Sequence, residues 1–427
     1  MLISLQNSQK KLNIFFLYLL VVTITIGPLV YIGVASLYHF VILGLLAFVL
    51  CLGIHTADFK TNIMRFLLVW VAEALVSVLW APDRMSALRY VYYIFLIFGI
   101  CVLFHCFLCR ENLITFSHFM VVVLLICNLI AFWEMRTGNH LLKNYLSTPS
   151  RLRLLKFVPG GFYLNPNDFA TFIIQIIPFS FAGAFSSKRA IRILSAFNFV
   201  ASFVTICATQ SRTQIILLLG MFLFYMLAIP KRRALAYGAL ACAAMTLLYF
   251  IDPDMKTVIT KALESVSGEA LLSIEALEGA SVSTRMNLMK NAGHILLDTF
   301  GFGIGAGCHR SVMSAYSAMY FDTRGVEVMH NLLGELFADY GIIVGALFVV
   351  TIISACRSML HIYKTTKDTE THEVRILSLV LLYSFGMFAV CGMSSSSILQ
   401  LSSVWLTFCF TSVFIKLFKQ SPKVDAF

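Results

Sequence analysis

Residues 113–133 read LITFSHFMVVVLLICNLIAFW, a run without one aspartate, glutamate, lysine or arginine. Wound as an α-helix at 1.5 Å per residue, it is about 32 Å long, enough to cross a hydrocarbon layer of about 30 Å. In hydrocarbon no water satisfies backbone N–H and C=O groups, and a helix satisfies them within one segment. The stretch therefore reads as a transmembrane helix. Comparable apolar runs lie near 12–32, 36–54, 62–80, 88–109, 162–184, 193–209, 213–229, 234–251, 334–356, 376–393 and 399–417. The expected fold class is all-α: a polytopic transmembrane helix bundle of about 12 spans, with one large periplasmic loop containing amphipathic helices.

Composition agrees. Hydrophobic residues make up 59% of the 427 and charged residues 12%, about half the charge of an ordinary soluble domain. A soluble fold could not hide that much apolar surface. The cysteines lie in or beside apolar stretches, except Cys308 in a polar loop, and no Cys/His spacing suggests a metal site or a disulfide framework. The first apolar run, after Lys10 and Lys11, exceeds the length of a signal-peptide core and is expected to be retained as a helix.

Lysine and arginine resist translocation, so their clusters mark the cytoplasmic side. Termini in the cytoplasm place Lys188, Arg189, Arg192, Lys231, Arg232, Arg233, Arg357, Lys364, Lys367, Arg375, Lys416, Lys419 and Lys423 inside. The chain then divides into N-terminal helices (1–135), central helices with a basic periplasmic loop at 136–161 (136–251), a large periplasmic loop (252–333), and C-terminal helices with a cytoplasmic tail (334–427). Within the large loop an amphipathic helix is expected over 283–297, with Ser283 as its cap and Met286, Met289, Ala292 and Leu296 on its apolar face.

Several cations break the inside rule. Arg136, Lys143, Arg151, Arg153 and Lys156 stand outside with no acidic residue among them, which suits lipid headgroups or a phosphorylated lipid substrate. Arg212, at the outer junction of two spans, either snorkels to the interface or grips an anion with its planar fork. Arg285 sits in the first turn of the expected loop helix, where a cation is mildly unfavourable. His330 and Asn331 lead into the next span at the outer surface, and Glu335 and Asp339 follow at spacings that do not put all of them on one face with His330. An imidazole there could accept a proton from a sugar hydroxyl. The run Gly301-Phe-Gly-Ile-Gly-Ala-Gly307 lacks a P-loop lysine and a preceding strand, so it reads as a close-packed turn rather than a nucleotide cradle.

The order of these features carries more than any one of them. Gly-Gly-Phe-Tyr-Leu-Asn-Pro-Asn-Asp-Phe-Ala at 160–170 is followed by Gln-Ser-Arg-Thr at 210–213 and Ser-Thr-Arg at 283–285. Gly-Phe-Gly-Ile-Gly at 301–305 and His330-Asn331 complete the series. This succession, over roughly 160–345, resembles the O-antigen ligase and polymerase superfamily of integral membrane glycosyltransferases. The resemblance implies a metal-independent, inverting transfer without cofactor, from a glycan on undecaprenyl diphosphate to an acceptor hydroxyl. Arg212 and Arg285 match the arginines that hold the diphosphate, and His330 matches the base. Arg151, Arg153, Arg310, Asn165, Asn167, Asp168, Asn331 and Glu335 are further candidates for substrate contact. The site would face the periplasm, in the bacterial inner membrane. The implied partners are the lipid-linked donor, a glycan or lipid A-core acceptor, membrane lipids and a chain-length regulator, with no nucleic acid.

Asn-Pro-Asn-Asp-Phe-Ala leans toward the polymerase branch. The ligase pattern of Gly-x-x-Gly after His-Asn fits Gly341 but finds its second glycine one position late, at Gly345. A lipid-linked oligosaccharide transporter is the alternative from another class; it is disfavoured by the absence of internal repeats and by a midplane poor in charge apart from Glu73.

Overall fold

The computed structural model describes residues 2–33, 35–51, 60–142, 157–228, 260, 279–315, 320–366, 372–393 and 397–419. Among them the regular secondary structure is helical apart from a short hairpin pairing Tyr31 with Ser36 and Ile32 with Ala35. The helices are α1 (Leu2–Thr25), α2 (Leu37–Cys51), α3 (Asn62–Ser77), α4 (Arg84–Phe107), α5 (Arg110–Thr137), α6 (Pro166–Gly183), α7 (Arg189–Ala208) and α8 (Arg212–Ala228). There follow α9 (Gly279–Asp298), α10 (His309–Ala315), α11 (Leu332–Thr365), α12 (His372–Gly386), α13 (Phe388–Cys391) and α14 (Trp405–Lys419). Helices α4, α5, α7 and α11 are long and apolar enough to cross a membrane, with mean hydropathies of 2.1, 2.4, 1.8 and 2.3; α2 and Arg212–Met226 are shorter apolar helices. The expected span at 234–251 lies outside the described residues.

Three boundaries differ from the sequence expectation. The first helix starts at Leu2 and stops at Thr25; Pro28, which has no N–H to donate, sits in a 3-10 turn over Gly27–Leu29, and the hairpin follows. The run at 376–393 breaks at Met387 into α12 and α13, and the last run opens with a 3-10 turn over Ile398–Gln400 before α14 begins.

Between lipid-embedded helices there is little hydrophobic driving force, so polar stitches and close packing hold them. Asn198 Nδ2 donates to the Val121 carbonyl at 2.7 Å, Asn128 Nδ2 donates to Ser202 Oγ at 3.0 Å, and Thr205 Oγ1 donates to Asn128 Oδ1 at 3.1 Å, all buried between α5 and α7. Pro178 inside α6 withdraws one N–H, and in the same turn Thr407 Oγ1 of α14 donates to the Gln175 carbonyl at 2.6 Å.

The glycine-rich run is the joint of the fold. Gly341 interrupts α11 with φ 77° and ψ −173°, a conformation suited to glycine. An unbroken helix would pair the Ala338 carbonyl with the Ile342 N–H and the Asp339 carbonyl with the Ile343 N–H. Instead Ile304 N–H donates to Ala338 at 2.9 Å, Gly305 N–H donates to Asp339 at 3.0 Å, and Ile342 N–H donates to the Gly301 carbonyl at 2.8 Å. The turn thus plugs into the break. Contact is backbone to backbone: a Cβ on Gly303 would lie 2.6 Å from the Asp339 carbonyl oxygen, and one on Gly341 would collide with the Gly301 carbonyl. Gly341→Ala is therefore expected to cost on the order of 3 kcal/mol. A thermal midpoint equal to wild type would show that the joint tolerates a side chain.

Helix α9 packs Leu288, Ala292 and Ile295 against Met313, Met329 and Ala338 in a small core of its own. This corrects the expected face, since Met286 and Met289 are exposed. The helix already runs from Gly279, so Ser283 lies inside it and Arg285 is in the second turn rather than the first. Leu79, Trp80, Phe300, Phe302, Ile342 and Ile343 are exposed around the joint. Trp80 Nε1 donates to the Gly303 carbonyl at 3.0 Å, as an amphipathic ring at a membrane interface would.

Candidate active site

The first wall of the site is built from the turn ahead of α6. Glu134, wholly buried at the end of α5, accepts from the N–H groups of Gly160 and Gly161 at 2.8 and 2.7 Å through Oε2, and from Leu141 N–H at 3.2 Å through Oε1. That fixes the approach to α6, where Asn165 is the N-cap accepting from Asn167 N–H at 2.9 Å and Pro166 fills the first position, which needs no N–H. Asp168 lies buried in the first turn, where a carboxylate suits the helix dipole. Asn165 and Asn167 thus help start this helix, and their side chains remain half-buried.

Arg212 opens α8, after a turn in which Gln210 takes φ 57°. Two residues on, Gln214 is fully buried; its Nε2 donates to Thr171 Oγ1 at 3.0 Å and to the Cys391 carbonyl at 2.9 Å. Thr171 in turn donates to the Asn167 carbonyl at 2.7 Å. The start of α8 is thereby tied to the 160–170 motif and to α13. A Cβ on Gly392, next to Cys391, would be 3.1 Å from Leu332 Cβ, so the same contact reaches the start of α11.

Asn331 caps α11, accepting from Gly334 N–H at 3.1 Å, and His330 precedes it half-buried with φ 49°, a left-handed conformation uncommon for a residue other than glycine. Met289 Sδ of α9 would lie 3.2 Å from a Cβ on Gly334, so α9 crosses the head of α11 one turn beyond Arg285. Although the Arg285 side chain is exposed, its guanidinium pKa is lowered, first by partial desolvation and then by the positive charge of Arg212. Two arginines from separate elements are therefore within electrostatic range of each other.

A buried polar cluster lies beneath. Asp339, with no exposure, accepts from His309 N–H at 2.9 Å through Oδ1, and its Oδ2 lies 2.8 Å from His309 Nδ1, which is also wholly buried. Glu335 Oε2 accepts from Ser397 Oγ at 3.1 Å, while Glu335 Oε1 and His309 Nε2 have no hydrogen-bond partner among the described residues. Asn331, Glu335 and Asp339 are four residues apart in turn, so Glu335 and Asp339 share the inward face that the cap begins. Nothing near His309 in the chain marks it out, because it needs the distant Asp339 to become notable. Arg310 is exposed and its charge is felt at both Glu335 and His309. Arg151 and Arg153 lie outside the described residues. Burial pushes the Cys308 thiol up to about 11, leaving it an inert packing group.

Burial disfavours the His309 imidazolium, but the Asp339 carboxylate more than offsets it, raising its pKa above the ordinary 6.5. A raised folded pKa contributes stability that is complete below the unfolded value and lost as pH rises through the folded one. Hydrogen-exchange protection of α10 is thus expected to be greatest below about pH 6.5 and to decline above the raised value. His309→Gln should flatten that profile; an unchanged profile in this variant would assign the dependence elsewhere.

Two comparisons with known proteins bear on this arrangement. Residues 197–349 match the family model described as O-antigen ligase, a stretch that contains Arg212, Arg285, His309, His330 and Asp339. The chain is also 26% identical over 374 residues to teichuronic acid biosynthesis protein TuaE of Bacillus subtilis (strain 168), covering 85% of this chain and 73% of the relative. Over 197–349 the chain is thus similar to the O-antigen ligase family, and over most of its length to a protein named for teichuronic acid biosynthesis.

Proposed function

We propose that this protein is a surface-polysaccharide (O-antigen type) polymerase of the bacterial inner membrane. It moves a glycan from undecaprenyl diphosphate to a sugar hydroxyl of another lipid-linked repeat unit, on the periplasmic side and with inversion. The observation that supports this best is the proximity of Arg212 and Arg285 at the head of the bundle. Holding two guanidinium groups together costs stability, and a diphosphate would reverse the sign of that cost. As the sugar–phosphate bond breaks, negative charge grows on the departing diphosphate, and fixed cations stabilise it without reorganisation. His330 takes the proton from the attacking hydroxyl, and Asn331 and Glu335 border the acceptor. Asn165, Asn167, Asp168 and Arg310, with Arg151 and Arg153 from the basic loop, contact glycan or phosphate. The twelve-span topology with cytoplasmic termini delivers these groups to one outer surface.

The relative named for teichuronic acid biosynthesis favours polymerisation over attachment to lipid A-core. The family description favours ligation, which is the second reading. An electrophoretic profile of surface polysaccharide and carrier-linked glycan, from a deletion strain complemented with wild type or Arg212→Ala, separates them. Single repeat units in place of long chains support the polymerase. Long chains stranded on the carrier lipid support the ligase. A profile unchanged by deletion contradicts both.

A further inference from the structure

We infer that the end of the bundle opposite the active site holds an anionic phospholipid by its phosphate headgroup. Helix α3 sets the two ends apart. Its 16 residues span about 24 Å; Ser77, at its end, accepts from Ala306 N–H at 3.1 Å beneath the active site, while Thr61 to Ile63 at its start line a cavity. Helix α11, 34 residues long, runs in the opposite sense, with Asn331 at the site and Val350 to Ile362 at the cavity end.

Two cavities open there, one of about 280 Å³ between α3, α11 and α14 and one of about 510 Å³ between α11 and α14, and they share Ser354, Ser358 and Lys419. Lys60, Arg357, Lys416 and Lys419 bring four cations, and no acidic residue is among the lining residues. Asn62 Nδ2 donates to Ser354 Oγ at 2.6 Å, holding α3 and α11 together at the mouth with hydroxyl and amide groups suited to phosphate oxygens. Beside this polar floor, Val350 and Ile353 are exposed apolar side chains. Cations and hydroxyls next to an apolar wall match a phosphate carrying acyl chains; a free anion would leave that wall unused. Basic recesses between membrane helices are suited to such headgroups. The inference does not depend on the transfer chemistry.

The test is native mass spectrometry of the full-length protein in detergent, titrated with phosphatidylglycerol, phosphatidylcholine or inorganic phosphate. Phosphatidylglycerol is expected to remain bound where phosphatidylcholine does not, and millimolar phosphate is expected not to displace it. The double variant Arg357→Gln, Lys419→Gln should weaken phosphatidylglycerol on the order of thirtyfold. The double variant Arg65→Gln, Lys364→Gln removes equal charge from residues outside the cavities and should leave binding unchanged. Equal retention of phosphatidylcholine, or equal weakening by both double variants, would overturn the site. Displacement of the lipid by inorganic phosphate would make it a free-anion site and overturn the lipid assignment. The comparison of the two lipids on wild-type protein holds even if a variant fails to fold.

Discussion

Replacing Arg285 with alanine is expected to lower glycan transfer by about a hundredfold to a thousandfold, the cost typical of losing one preorganised donor to a developing anion. The protein itself should remain in the membrane at the wild-type level. The reason lies in the sign of the local electrostatics: partial burial and then the charge of Arg212 disfavour the charge on Arg285, so removing either cation relieves repulsion between them. The thermal midpoint should hold or rise while activity collapses, which separates a functional loss from misfolding. Arg212→Ala should behave alike. Lysine at either position restores charge but not the planar two-donor fork, so it should recover little. Because both arginines act on one diphosphate, the double variant should be no worse than either single one by the product of their effects. Near-normal turnover in both lysine variants would remove the bidentate grip.

Asp339→Ala is expected to have the second-largest effect, this time on the fold. Its carboxylate serves His309 twice and its carbonyl accepts Gly305, so one residue ties the glycine-rich turn, α10 and the kink of α11 together. Truncation leaves His309 buried without its partner, a change that costs about 3–5 kcal/mol when a buried pair is broken. Thermal unfolding in detergent should shift down, and hydrogen exchange in α9 and α10 should accelerate, with transfer lost because Arg285 is no longer held over α11. Asp339→Asn keeps an acceptor at the same place and should fall between. An alanine variant as stable as wild type would mean that the turn docks through its backbone alone.

How much of this was legible in the sequence depends on which force acted. The apolar runs at 88–109, 113–133, 193–209 and 334–356 appear as α4, α5, α7 and the first part of α11, because bilayer thickness imposes length and hydropathy directly. The close-packed turn at Gly301–Gly307 was legible as well, since its positive φ angles at Gly301, Gly303, Gly305 and Gly307 demand glycine. The buried face of α9 was not. Met286 and Met289 are apolar yet exposed, while Leu288 and Ile295 are buried, and beside a lipid phase apolarity does not distinguish inside from outside. Glu134 and the His309–Asp339 pair escaped for another reason. Each becomes meaningful only through a partner 26 to 30 residues away, and nothing local announces the partner. Arg212 and Arg285 stood out by their place at span and loop boundaries; that they approach each other came from the structure.

The most direct test of the central claim is a reconstituted reaction containing only this protein, lipid vesicles and a purified undecaprenyl-diphosphate-linked repeat unit, followed by mass spectrometry of the lipid products. The account predicts carriers bearing two or more repeats, with release of undecaprenyl diphosphate in step, and neither product with Arg285→Ala or His330→Ala. Donor that remains a single repeat with the wild-type protein, in vesicles where the protein is folded, would contradict it.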